Sequence, residues 1–185
     1  MDGTVMAIYR LVFIFMPVVI YMAFMWAPPA AILGDASRIL YFHVPVAWVS
    51  VAAFIVSGFQ STLFLTSEKK RREREFMAYN SAVAGMVFTV LTVITGSVWA
   101  KLSWGSYWNW DPRETSIVVL MLIYIAYLSL YSSLKEHPNR GGISAVYLII
   151  AMITMPFLVF IIPRIYDSLH PDTINHQGAG LQEVI

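Results

Sequence analysis

The side chains best equipped for chemistry in this 185-residue chain are two histidines, two arginines and a dense run of aromatics. His43 stands in Arg38-Ile39-Leu40-Tyr41-Phe42-His43-Val44-Pro45-Val46-Ala47-Trp48, and His170 in Tyr166-Asp167-Ser168-Leu169-His170-Pro171. A neutral imidazole offers a nitrogen lone pair to a metal, and histidine is largely neutral at physiological pH. Between them runs Trp104-Gly105-Ser106-Tyr107-Trp108-Asn109-Trp110-Asp111-Pro112-Arg113-Glu114-Thr115. Trp104, Tyr107, Trp108 and Trp110 make an apolar, π-rich surface that could stack against a large flat ligand. A generic belt of interfacial aromatics is the competing account for any single Trp, but it fits three Trp and a Tyr around a Gly less well. Arg38 and Arg113 could each hold a carboxylate through paired hydrogen bonds. The plainer alternatives are a lipid phosphate for Arg38 and a first-turn position beside Glu114 for Arg113. Cysteine is absent, which excludes disulfides, thiolate metal sites and Cys-ligated clusters.

These residues need elements to hold them, and the composition says what kind. The chain is 58% hydrophobic and 12% charged, against roughly half apolar and about a quarter charged in soluble domains. With a mean hydropathy of +0.67, it must use lipid as its solvent. Five apolar stretches are long enough to cross a bilayer as helices, at Tyr9–Pro28, Val44–Leu65, Ala78–Ala100, Glu114–Leu134 and Ile143–Ile162. The fold class expected is therefore all-α, a polytopic transmembrane helix bundle, with residues 1–185 forming one integral-membrane unit and 171–185 a polar tail. Pro17 and Pro156 fall inside spans, where membrane helices tolerate them with a kink. The first span lacks the pattern of a cleaved signal and reads as an anchor. Net charge is +1, so no broad basic surface invites nucleic acid.

Arg10, the run Lys69-Lys70-Arg71-Arg72-Glu73-Arg74, and Lys135 with Arg140 lie at one set of span ends. Lysine and arginine accumulate on the cytoplasmic side, so these ends and the N-terminus are expected inside. Anionic lipid could also bind the basic run. The loop near His43, the aromatic segment and the tail bearing His170 then emerge together outside. Imidazole is a common axial ligand of haem iron, and two imidazoles on one face, beside an aromatic shelf, can close both axial positions. Asp111 is a good N-cap, Pro112 suits the first helical position, and Glu114 can complete a capping box, so Asp-Pro-Arg-Glu should start the fourth span. If the stretch before that cap is helical, Trp104 and Trp108 share a face with Tyr107 beside them. His137, in His-Pro-Asn-Arg-Gly-Gly, reads as a tight inner turn, and His176 as solvated tail.

The string W-G-S-Y-W-N-W-D-P-R-E-T resembles the tryptophan-rich "WWD" signature of haem-handling membrane proteins in cytochrome c biogenesis. The surroundings of both histidines, from Arg38 to His170, resemble those of the haem exporter protein C family in particular. The resemblance implies that His43 and His170 are axial ligands of haem b and that Trp104, Trp108, Trp110 and Asp111 form the aromatic motif. Arg38 and Arg113 then match the family's external arginines. It further implies a non-catalytic carrier in the bacterial inner membrane, with its site facing the periplasm. The implied partners are a periplasmic haem chaperone, which receives haem, and an ABC transporter complex. That family usually carries a sixth transmembrane helix after the second histidine, where this chain has only its polar tail. One rival is a cytochrome c synthase or haem lyase of the other biogenesis route, which shares the motif but is usually larger. Another is an electron-transfer subunit or permease, which would use mid-span histidines or a buried charge relay.

Overall fold

The computed structural model describes residues 3–31 and 33–169. Among the described residues five helices are long and apolar enough to cross a membrane, and the chain is a multi-pass membrane protein. Helix α1 (Gly3–Tyr21) continues into a π-helical stretch, Met22–Trp26. Then follow α2 (Ser37–Thr66), α3 (Arg71–Trp104) and α4 (Pro112–Ser133). The last span begins as α5 (Arg140–Pro156), turns π-helical at Phe157–Ile161 as soon as Pro156 interrupts the backbone ladder, and ends in the short α6 (Ile162–Ile165).

These helices outrun the apolar stretches that mark them. At about 1.5 Å per residue, the 34 residues of α3 extend well past a hydrocarbon layer of roughly 30 Å. The excess carries the charged turn Arg71–Glu75 at one end and Trp99 to Trp104 at the other. Helix α2 likewise begins at Ser37 and passes through Pro45, so the expected start at Val44 is corrected. A span without water retains its intrahelical hydrogen bonds, and the proline costs only one of them.

Helices α2 and α3 pack as an antiparallel pair sewn together by small polar side chains. The Ser50 and Thr89 hydroxyls lie 2.6 Å apart, and the Ser57 hydroxyl donates to the Ala78 carbonyl at 2.8 Å. In lipid the hydrophobic effect does not drive helices together, so close packing and such interhelical bonds, about 0.6 kcal/mol each, carry the association. The Phe54 ring stacks on Tyr124 at 3.6 Å, linking α2 to α4, while Leu148, Ala151 and Met155 of α5 complete the buried centre. By contrast, α1 has no buried residue. It meets the bundle through its π-helical end, where Phe24 stacks on Phe42 of α2 at 5.7 Å.

Because successive helices alternate in direction, the bundle has two unlike ends. At the basic end, Glu75 of α3 accepts from the Tyr131 hydroxyl of α4 at 3.1 Å and from Arg140, at the start of α5, at 3.2 and 3.1 Å. The tight turn expected around His137 is present there, with the Asn139 amide donating to His137 Nδ1 at 3.1 Å. The aromatic segment lies at the opposite end.

Candidate functional site

The aromatic end is assembled from the close of α3, the link to α4, the first turns of α2 and the chain beyond α6. Gly105, at φ +82°, takes the left-handed conformation that ends α3, and its amide donates back to Lys101 at 3.1 Å. Lys101 in turn donates to the Gly105 carbonyl at 2.8 Å and lies over the Tyr107 ring. This break corrects one expectation. Trp104 is the last residue of α3, and Trp108 lies beyond the turn, so the two do not share a helical face. Trp104 instead meets Trp99 edge-on at 4.7 Å, and Trp108 meets Trp110 edge-on at 5.8 Å. Tyr107 and Trp110 are the exposed members, at 60% and 77%.

The capping box read from Asp111-Pro112-Arg113-Glu114 is present. Asp111 Oδ1 accepts from the Arg113 amide at 2.9 Å, and Glu114 Oε2 accepts from the Asp111 and Asn109 amides at 3.3 and 2.7 Å. Glu114 is thus committed to the loop rather than to Arg113. The Nε of Arg113 is buried without a hydrogen-bond partner among the described residues.

Asp111 has a second task, which a local motif could not disclose. It is only 4% exposed, and its Oδ2 accepts from the Ser168 hydroxyl at 2.9 Å and from the Leu169 amide at 2.7 Å. One carboxylate therefore starts α4 and also ties down the chain that leads into His170. His170 itself, with His176 and the rest of the tail, lies outside the described residues.

His43 sits in the second turn of α2, partly buried against α3. Its Nδ1 is 3.0 Å from the Thr95 hydroxyl oxygen, and its ring packs against Gly96. Thr95 lies nine positions before Trp104, so the imidazole sits roughly 14 Å along α3 from that helix end. Arg38 is largely engaged. Its Nε pairs with Asp35 at 2.9 Å, and Nη1 donates to the carbonyls of Ala23 and Phe24, fastening the end of the first span to α2. These bonds leave Nη2 without a hydrogen-bond partner among the described residues. Thr95, Gly96, Trp99 and Ser168 escaped the sequence reading. The only signal for the first three was a strip of small, polar and aromatic residues at helical spacing in the third span.

The family model described as Heme exporter protein C matches residues 2–183. This chain belongs to the haem exporter protein C family. Among curated relatives it is 31% identical to a ccmC-like mitochondrial protein of Marchantia polymorpha, named for cytochrome c biosynthesis, over 88% of this chain and 68% of that one. It is 28% identical to the Heme exporter protein C of Rhodobacter capsulatus, over 85% and 62% of the two chains. The same name belongs to a protein of Escherichia coli K12 that is 28% identical, over 83% and 62%. The chain thus spans about two thirds or less of the length of these relatives. The names of these relatives refer to haem export and to cytochrome c biosynthesis.

Proposed function

We propose that this protein carries haem b at the outer leaflet of a bacterial inner membrane and delivers it to a periplasmic haem chaperone, with its N-terminus cytoplasmic. His43 and His170 are the proposed axial ligands, and Trp104, Tyr107, Trp108 and Trp110 supply aromatic surface along the porphyrin. The observation that carries this reading is the double grip of Asp111 on Ser168 and Leu169, which brings the approach to His170 onto the aromatic loop. His43 is held in the same half of the bundle, against Thr95 and Gly96 of α3. Asp111 enters this reading as the residue that ties the site together rather than as a contact to haem.

The residues present fit such a ligand. Arg113 keeps a buried Nε with no hydrogen-bond partner among the described residues, and a guanidinium can hold a carboxylate such as a haem propionate. Arg38 can add its Nη2. Haem itself supplies the redox-active iron, while this chain binds it, orients it and tunes it. An ABC transporter complex of cytochrome c maturation is the proposed docking partner within the membrane, and lipid surrounds the exposed apolar faces. The protein acts as a carrier rather than an enzyme.

The test is transfer. Haem-loaded protein in detergent, mixed with the haem-free soluble domain of a haem chaperone, should lose haem to that domain. The same protein should leave haem unattached when given an apocytochrome peptide with Cys-x-x-Cys-His. Attachment to the peptide without the chaperone would instead favour the synthase or lyase reading.

A further inference from the structure

The hydrogen bond between His43 and Thr95 has a direction that its neighbours determine. Thr95 Oγ1 lies 2.8 Å from the Leu91 carbonyl oxygen and 3.2 Å from that of Thr92. A carbonyl only accepts, so the single hydroxyl proton of Thr95 is directed into its own helix. With that proton in its own helix, its lone pairs face His43 Nδ1, at 3.0 Å, and the matching imidazole is the one that donates from Nδ1. A neutral imidazole protonated at Nδ1 carries its free lone pair on Nε2. Among the described residues Nε2 makes no hydrogen bond.

Gly96 makes this arrangement possible. A Cβ at that position would stand 2.9 Å from His43 Cε1 and 3.4 Å from Nδ1, too close for the ring to stay where it is. Its neighbour on α3 thus opens the space, and Thr95 fixes which nitrogen faces outward. We infer that Thr95 is a positioning residue, with Gly96 as its steric complement, that holds His43 in the Nδ1–H tautomer and presents Nε2 to haem iron. The inference rests on the proposed reading of His43 as an iron ligand. Outer partners that orient a ligating imidazole in this way typically contribute about 10- to 100-fold to metal affinity.

The experiment uses the full chain in detergent, in four forms: wild type, Thr95→Val, Thr95→Ser and His43→Ala. Haem is titrated into each and followed by its absorption spectrum. In parallel, nitrogen-15 NMR of histidine-labelled, haem-free protein reads the tautomer. Thr95→Val should bind haem about 10- to 100-fold more weakly, with an altered spectrum, and should lose the uniform Nδ1–H signal of His43. Thr95→Ser, which keeps the hydroxyl, should restore both.

Wild-type affinity and spectrum in Thr95→Val, with His43→Ala impaired, would overturn the positioning role and leave the ligand role standing. Equal loss in the Val and Ser forms would overturn it too, as would an unchanged tautomer in Thr95→Val. Unimpaired binding by His43→Ala would remove the reading on which the inference rests, and the inference with it.

Discussion

Replacing Asp111 by Asn should release the chain that approaches His170 while leaving the start of α4 in place. Asparagine caps a helix about as well as aspartate, so the bond now made by Oδ1 to the Arg113 amide can persist. The other terminus of the side chain changes from an acceptor to a donor. It then faces the Ser168 hydroxyl and the Leu169 amide, which now sit 2.9 and 2.7 Å from Oδ2. A hydrogen bond to a charged group contributes about 1.5–3 kcal/mol. At about 1.4 kcal/mol per factor of ten, losing the Leu169 bond should raise local opening roughly 10- to 150-fold. Hydrogen exchange of the Leu169 amide, read by mass spectrometry in detergent, measures this directly, because that amide is itself the donor. Asp111→Ala should match the acceleration and also weaken the start of α4 by about 1 kcal/mol. Equal exchange at Leu169 in wild type and Asp111→Asn would refute the clasp.

Other expectations follow from single observations. Gly105→Ala forces an L-residue into the left-handed conformation that ends α3; it should lower stability by about 1–2 kcal/mol, seen as a reduced melting temperature in detergent. Arg113→Lys removes the buried Nε donor and, on the propionate reading, should weaken haem binding by about tenfold while the melting temperature holds. Glu75→Ala strips the half-buried Arg140 and Tyr131 of their shared acceptor at the basic end. It should cost about 1–3 kcal/mol of stability and leave haem affinity unchanged, since that network lies at the far end of the bundle.

What was legible in the sequence was whatever is encoded locally. Each membrane span announces itself by a long, predominantly apolar run, and the capping box at Asp111 by four consecutive residues with fixed roles. Helix ends were less legible, because hydropathy marks where the chain leaves lipid and not where the helix stops. Pro45 and the polar residues before it therefore read as a boundary that α2 ignores. The pairing of Trp104 with Trp108 failed for a related reason: helical spacing holds only while the helix lasts, and Gly105 ends it. The contacts that organise the site were beyond any local reading. His43 finds Thr95 across 52 positions, and Asp111 finds Ser168 across 57. Neither spacing obeys a periodicity, because each is set by how whole helices lie beside one another.

The most direct measurement is the absorption spectrum of the purified chain, supplied with haem, as wild type and as His43→Ala and His170→Ala. Two imidazoles on one iron give a low-spin spectrum in the wild type, and the loss of either should alter or abolish it. A wild-type protein that remains colourless after adequate haem supply, or two variants whose spectra match the wild type, would contradict the account.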